Sequence, residues 1–297
     1  MPRSNGTKCV WQEVKTNGTH CSLWSGIQSK EILFEGSEYK EAKFRLDYLA
    51  RAKGFGLLTG APGRGKTTLV RSWSTGLNPS LYKVIYTSLS TVTVNDFYRN
   101  LAASLGAQSS YRKTENFHII QEEINRLALD KKKTPVIIID EANYIKNAVL
   151  NDLKILFNFE MDSRDRAVIL LVGLPQLNNT LQLSIHEPLR QRIIMNYNVD
   201  GYSKEEGRAY IEWKLKKAGC TAPVFDDAAI EAILNASDGT ARVISKLCNA
   251  SLVIGHSQSA NQITADIVMQ AINDSTLGSE KLPQINCGSF SVRKTIR

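Results

Sequence analysis

Short continuous apolar runs alternate with segments of helical periodicity through the first two thirds of the chain. The runs predict buried β-strands, and the segments between them carry apolar residues three or four positions apart, which is typical of amphipathic helices. Continuous apolar strands separated by helices indicate an α/β fold with a parallel sheet covered on both faces. The predicted strands are residues 55–60, 82–89, 135–140, 167–173 and 194–199.

The pattern changes after about residue 200, where the strands stop and four helical segments follow. Ser203 and Glu206 form a capping-box pair at the start of the first of these segments, and Gly219 ends it. We therefore expect an α/β core followed by a small all-helical domain, with a polar extension before them and a basic tail after them. The expected boundaries are residues 1–30, 31–200, 201–277 and 278–297.

A glycine-rich stretch, GAPGRGKT at residues 60–67, matches the phosphate-binding pattern G-x-x-x-x-G-K-[ST]. It follows a predicted strand and precedes a predicted helix, which is the context that the motif requires. The backbone N–H groups of such a loop surround phosphates, Lys66 reaches the β- and γ-phosphates, and Thr67 ligates Mg²⁺. The sequence predicts an ATP site with Mg²⁺ formed by Gly60, Ala61, Pro62, Gly63, Arg64, Gly65, Lys66, Thr67 and Thr68.

Two adjacent acids, Asp140 and Glu141, end the third predicted strand. A carboxylate at a strand end holds Mg²⁺ through water, and a neighbouring acid orients or deprotonates an attacking water molecule. Paired acids also occur at strand ends without any catalytic role. The phosphate-binding loop on the same chain favours the functional interpretation, with Asp140 as a metal ligand beside Thr67 and Glu141 as a catalytic residue.

With these motifs, LRQRI at 189–193 and GTARVISKL at 239–247 give the chain a resemblance to the AAA+ ATPases. That family places an arginine finger near the end of the core and a G-x-x-R sensor 2 in a helical lid. The resemblance implies that Arg192, with Arg190 as its substitute, acts on a neighbouring subunit's nucleotide, and that Arg242 reaches the γ-phosphate from the lid. Such cations would stabilise the transition state's negative charge. A solvated helix-surface charge is the alternative, and it is preferred for Arg190.

One position departs from the AAA+ pattern. The family carries a polar sensor 1 residue at the end of the fourth strand, but here that strand ends in VGLPQL, with Gly173 or Leu174 at the expected place. Gln176 is then the polar candidate for contact with the nucleotide. This departure predicts hydrolysis that is slow or that needs a partner.

Within the AAA+ proteins, the chain resembles the ExeA-like group over about residues 33–275, through GLLTGAPGRGKTTLVRSW, PVIIIDEA, NFEMDSRDRAVILLVGLPQL and LRQRI. The group includes the TnsC and TniB transposition regulators and is related to the IstB helpers. Some members assemble on DNA with ATP and direct a transposase to its target. Others are secretion ATPases with a transmembrane helix and a cell-wall-binding region after the ATPase.

The sequence has no bilayer-spanning apolar run and no signal peptide, so we expect a cytoplasmic regulator of transposition with no membrane partner. Five widely spaced cysteines are expected to be free thiols. The expected partners are further copies in a ring or helical filament, double-stranded DNA bound without sequence preference, a transposase and a target-selection adaptor. A secretion-pathway ATPase and a nucleotide-switched scaffold with little turnover stay open as alternatives.

Net charge alone does not indicate the DNA partner. The total is +8, but residues 1–30 carry +3 and residues 281–297 carry +4, so the body of the chain is nearly neutral. The resemblance implies DNA contacts after the second strand and in the next inter-helix loop, residues 88–94 and 109–118. A helix N-cap is the alternative for Thr93, and a solvated loop for Arg112 and Lys113. The candidates are Ser90, Thr91, Thr93, Arg112, Lys113 and Thr114.

Overall fold

The computed structural model describes residues 34–88, 93–159, 165–220 and 222–275. Its centre is a five-stranded parallel sheet in the order β2-β3-β4-β1-β5. The predicted parallel sheet is therefore confirmed, and each strand boundary lies within two residues of the predicted one. The strands are β1 Gly54–Gly60, β2 Tyr82–Thr87, β3 Thr134–Ile139, β4 Val168–Gly173 and β5 Ile193–Val199.

Helices cover both faces of the sheet, as continuous apolar strands require. Along β3, side chains alternate between the two faces: Ile137 packs with one apolar cluster and Ile138 with the other. The core helices are α1 Ser37–Ala52, α2 Lys66–Gly76, α3 Val94–Leu105, α4 Lys113–Asn125, α5 Asn147–Leu156, α6 Gln176–Gln182 and α7 Glu187–Arg190. A π-helical turn, Arg126–Asp130, extends α4.

Four further helices pack around a separate apolar cluster after the last strand, which we call the lid. Their buried side chains include Ile211, Ile233, Ile244 and Val268. Within the residues that the structure describes, none of the helices combines the length and the apolar character that a bilayer crossing requires. The helices are α8 Lys204–Lys217, α9 Asp227–Ser237, α10 Ala241–Ser257 and α11 Ala265–Ser275.

The lid also takes in a residue that the sequence assigned to the core. The Phe34 ring lies edge-on to Tyr202 and Tyr210, with centroids 5.6 Å away, and 5.7 Å from Trp213. An aromatic contact thus joins the start of the described chain to helices that follow it by about 170 positions. The lid also buries the side chains of Cys220 and Cys248.

Glu206 joins the first core helix to the first lid helix. The predicted capping box is present: Ser203 Oγ accepts a hydrogen bond from Glu206 N at 3.1 Å, and Glu206 Oε2 accepts one from Ser203 N at 3.3 Å. The other oxygen, Oε1, accepts hydrogen bonds from Ser37 N at 2.7 Å and from the Ser37 hydroxyl at 2.6 Å. Burial alone would raise the pKa of Glu206, but these hydrogen bonds outweigh it and lower the pKa below its ordinary value.

Replacing this carboxylate should lower stability in a pH-dependent way. Because the folded-state pKa of Glu206 is lowered, its contribution is complete above the unfolded-state pKa of about 4.3 and is lost as pH falls through the folded value. We expect Glu206→Gln to reduce the free energy of unfolding by about 1 kcal/mol at pH 7. Urea unfolding at pH 7 and pH 3 measures the difference, with the exposed Glu231→Gln as the control. An equal loss at both pH values would contradict this account.

Candidate nucleotide-binding site

The phosphate-binding loop connects the end of β1 to the start of α2. Gly63 and Gly65 have φ angles of 79° and 94°, in the left-handed region that favours glycine. Lys66 Nζ donates hydrogen bonds to the carbonyl oxygens of Gly60 at 2.8 Å and Ala61 at 3.1 Å. These contacts keep the loop curled at the helix N-terminus, where backbone N–H groups favour an anion.

Asp140 follows β3 directly and is almost fully buried. Its Oδ2 accepts hydrogen bonds from Thr67 Oγ1 at 3.0 Å and from the Tyr86 hydroxyl at 2.9 Å, and its Oδ1 accepts one from Glu141 N at 2.9 Å. The two predicted metal ligands therefore lie side by side. A hydroxyl and a carboxylate oxygen beside a phosphate-binding loop are the hard oxygen ligands that Mg²⁺ prefers, so these residues fit that cation.

Glu141 is exposed and has a φ of 55°, which is unfavourable for a residue with a side chain. Such strain at the end of a strand is a feature of functional sites. Burial lowers the pKa of Lys66, and the nearby charge of Arg242 adds to this effect, while Glu141 and Asp140 oppose it. The predicted catalytic and metal-binding groups thus interact electrostatically.

Tyr86 is a site residue that the sequence analysis missed. It lies on β2, the edge strand next to β3, and its hydroxyl donates to the same Asp140 oxygen as Thr67. Burial, the hydrogen bond and the charge of Asp140 raise the pKa of Tyr86 to about 12, so the hydroxyl stays a donor at neutral pH. Its contact with Asp140 could have been predicted, because Tyr86 lies near the end of β2, and β2 is next to β3, which Asp140 follows.

Loss of the Tyr86 hydroxyl should weaken the metal site. We expect Tyr86→Phe to raise the Mg²⁺ concentration for half-maximal stimulation of nucleotide binding about tenfold, because the partner that orients Asp140 is removed. Titration of a fluorescent ATP analogue at varied Mg²⁺ measures this effect. Tyr82→Phe, on the same strand, is the control. An unchanged Mg²⁺ requirement in Tyr86→Phe would refute the orienting role.

The lid contacts the phosphate-binding loop through the start of α10. Arg242 N donates a hydrogen bond to Gly63 O at 3.3 Å. A Cβ at Gly63 would lie 3.0 Å from both Arg242 Cβ and Thr240 Cγ2, so glycine permits this close approach. Arg242, predicted as sensor 2, is therefore placed beside the loop, whereas Thr68 is exposed in the first turn of α2.

Comparisons with known proteins support a nucleotide-binding domain at this part of the chain. A family model described as an AAA domain matches residues 50–181, which include the loop and both acids. General secretion pathway protein A of Aeromonas hydrophila is 29% identical over 257 residues, 84% of this chain and 46% of that protein. The chain therefore contains an AAA domain and is similar to this secretion protein over most of its length. It spans less than half the length of the curated relatives that it matches.

Solved structures share the fold of this chain. Cdc6p from Pyrobaculum aerophilum gives a TM-score of 0.66 at 16% identity, covering 87% of this chain and 72% of that one. ORC1 of Aeropyrum pernix, solved in complex with DNA, gives 0.60 at 16% identity, covering 85% and 69%. At this identity the likeness establishes the AAA+ fold, which is a nucleotide-binding fold.

The arginines predicted as fingers lie at the end of the AAA+ core. Arg190 is exposed, and its Nη1 donates to Gln182 O at 3.2 Å. Arg192 is half-buried, and its Nη1 donates to Lys154 O at 3.0 Å, at the C-terminal end of α5. These contacts are with the α5–α7 region, whereas Arg242 contacts the loop.

An asparagine side chain lies at the end of β4, where the sequence has no polar sensor 1 residue. Asn143 Oδ1 accepts a hydrogen bond from Leu174 N at 3.0 Å, and a Cβ at Gly173 would lie 2.9 Å from that oxygen. Asn178 Nδ2 donates to Thr59 Oγ1 at 3.2 Å, directly before the phosphate-binding loop. Gln176 is exposed at the start of α6, so its contact with nucleotide stays a prediction. Asn143 could be found in the sequence only through its position two residues after the acids.

The residues predicted to contact DNA lie in three places: at a helix N-cap, around the start of α4, and outside the described residues. Ser90 and Thr91 lie outside the described residues. Thr93 is the N-cap of α3, with its hydroxyl oxygen 3.2 Å from Asp96 N, so the cap alternative is confirmed.

The inter-helix loop is shorter than predicted, because α4 begins at Lys113. Asn116, fully buried, accepts a hydrogen bond from Ser110 N at 2.7 Å and donates to Ser110 O at 2.9 Å, which ties the loop to the helix. Lys113 forms an ion pair with Asp152. Arg112 stays exposed at the N-cap position, whereas Thr114 lies in the first helical turn.

Proposed function

We propose that the protein is an ATP-dependent regulator of DNA transposition that assembles on duplex DNA and directs a transposase to its target. The observation that best supports this proposal is the arrangement around the phosphate-binding loop. Thr67 Oγ1 lies 3.0 Å from Asp140 Oδ2, and the helical lid places Arg242 beside the loop. This arrangement suits a protein whose shape and self-association depend on bound ATP and Mg²⁺.

Hydrolysis in this proposal depends on three groups. Lys66 and Arg242 neutralise the charge of the transferred phosphoryl group, and Glu141 orients the attacking water. Mg²⁺ supplies charge neutralisation at the phosphates when it is held by Thr67 and Asp140.

In this proposal, a neighbouring subunit in the assembly supplies a third cation, the arginine finger. Arg190 is exposed, and both candidate finger arginines have their described contacts in the α5–α7 region. An arginine placed there suits a role at a neighbouring subunit's nucleotide, where it would stabilise the transition state in trans. Gln176 completes the predicted set of nucleotide contacts.

The proposed DNA contact lies at the loop between α3 and α4. Tyr111 is 84% exposed and the Arg112 side chain is 78% exposed. A cation and an aromatic hydroxyl on a projecting loop suit contacts to phosphates, which fix position without reading sequence. Thr114 lies next to them, while Lys113 contributes only when it leaves Asp152.

The test is DNA-dependent assembly viewed by negative-stain electron microscopy. We expect rings or filaments on duplex DNA with a nonhydrolysable ATP analogue and none with ADP. Arg112→Ala should weaken DNA binding several-fold and lower its salt dependence, whereas Arg51→Ala on α1 should not. A transposase tested with the assemblies should be recruited only by the ATP-bound form. Absence of DNA-dependent assembly would reject the proposal.

A secretion-pathway ATPase is the second candidate, because the named relative that covers 84% of this chain is general secretion pathway protein A. This function predicts that DNA neither stimulates phosphate release nor promotes assembly. A membrane-associated partner would do so instead. The same microscopy experiment, repeated with membranes in place of DNA, separates the two.

A further inference from the structure

Arg64 lies at the apex of the phosphate-binding loop, but its side chain extends toward the lid. Its Nη2 donates to Asp238 Oδ2 at 2.9 Å, in the turn between α9 and α10. The Arg64 side chain is only 14% exposed, whereas that of Asp238 is 94% exposed. An ion pair with so exposed an acid is worth little by itself, so the burial of the guanidinium needs another cause.

That cause is a slot beside Gly201, in the segment that joins β5 to the lid. A Cβ at Gly201 would overlap Arg64 Nη1 and lie 2.6 Å from Arg64 Cζ. Gly201 has no positive φ that would call for glycine, but the carbonyl oxygen of Gly239 also lies 2.8 Å from this Cβ position, so the guanidinium and the lid turn both limit a side chain here. Only a residue without a side chain leaves room for the flat guanidinium.

The other wall of the slot is the turn that carries Asp238. Gly239 has a φ of 63°, and its carbonyl oxygen accepts a hydrogen bond from Tyr202 N at 2.9 Å. A Cβ at Gly239 would overlap Tyr202 O, so this turn is held close against the joining segment. The slot is thus formed by the joining segment and the lid turn, which are hydrogen-bonded to each other.

We propose that Arg64 is a positioning residue that latches the lid to the phosphate-binding loop and thereby slows nucleotide release. The backbone of Arg64 belongs to the loop, and its side chain is held between the joining segment and the lid turn. The lid cannot open without withdrawing the guanidinium or distorting the loop. The Arg242 N–H bond to Gly63 O joins the same two parts one residue away. This inference rests on the proposed nucleotide site.

The test is the dissociation rate of a fluorescent ADP analogue, measured by stopped flow. We expect Arg64→Ala and Gly201→Ala each to release the nucleotide about five- to tenfold faster, with association rates nearly unchanged. Because both changes remove the guanidinium from the same slot, the double variant should be no faster than the faster single variant. Arg64→Lys should also release rapidly, since lysine keeps the charge but lacks the planar group.

Controls separate the latch from its alternatives. Arg51→Ala should dissociate like the parent, and thermal unfolding of each variant shows whether it is folded. Asp238→Asn, changed at an exposed carboxylate, should release about twofold faster and provides a second route if Gly201→Ala does not fold. Unchanged release from Arg64→Ala, or parental release from Arg64→Lys, would overturn the latch. Failure of the parent to bind the analogue would instead reject the nucleotide site itself.

Discussion

A Lys66→Ala variant should lose ATP affinity by at least about 100-fold and keep its fold. Lys66 Nζ holds the carbonyls of Gly60 and Ala61 in the curled loop. The motif predicts that this amine is the cation that meets the β- and γ-phosphates. Two charge-assisted hydrogen bonds of about 1.5–3 kcal/mol each account for a loss of this size. Titration with a fluorescent ATP analogue measures the affinity.

Lys40→Ala, on the exposed side of α1, is the matched control for this experiment and should bind like the parent. Thermal unfolding should give similar midpoints for both variants without nucleotide, since Lys66 is only partly buried. Added ATP should then raise the midpoint of Lys40→Ala and leave that of Lys66→Ala unchanged. Parental affinity in Lys66→Ala would show that the loop is not the phosphate site.

Glu141→Gln should abolish most phosphate release while ATP still binds. The change keeps the size of the side chain and removes the carboxylate that we propose orients water, a role typically worth about 10²–10⁴-fold in rate. The strained φ of 55° at Glu141 is kept because glutamine has the same backbone preferences. Steady-state phosphate release and analogue binding, measured on the same sample, separate the two effects.

Glu122→Gln, on the exposed face of α4, is the control for the loss of one negative charge and should hydrolyse ATP like the parent. Negligible phosphate release from both the parent and Glu141→Gln would favour the nucleotide-switched scaffold over the ATPase. Full activity in Glu141→Gln would contradict the assignment of Glu141 as the residue that orients water.

The features that the sequence predicted well are local. Strand runs, the loop at residues 60–67 and the capping box of Ser203 and Glu206 each depend on residues a few positions apart, where periodicity and propensity decide the outcome. The pairing of Thr67 with Asp140 was also predictable, because a strand end and a helix start at one edge of a parallel sheet converge.

The features that could not be predicted from the sequence depend on contacts between residues far apart in the chain. Tyr86 meets Asp140 across two strands, Arg64 meets Asp238 across the core and the lid, and Phe34 packs on lid aromatics. No periodicity encodes such contacts, because they follow from how finished elements pack. The loop before α4 is shorter than predicted for the same reason. Asn116 is polar and suits a loop by its type, but in the fold it is buried in α4 and bonded to Ser110.

The proposed function requires that ATP binding drives copies of this chain together. Light scattering of Glu141→Gln with saturating ATP and long duplex DNA measures this directly, because the variant should hold ATP without turnover. We expect a mass far above the 33.1 kDa of one chain with ATP, and the monomer mass with ADP. A monomer mass at high protein concentration with ATP and DNA present would contradict the account.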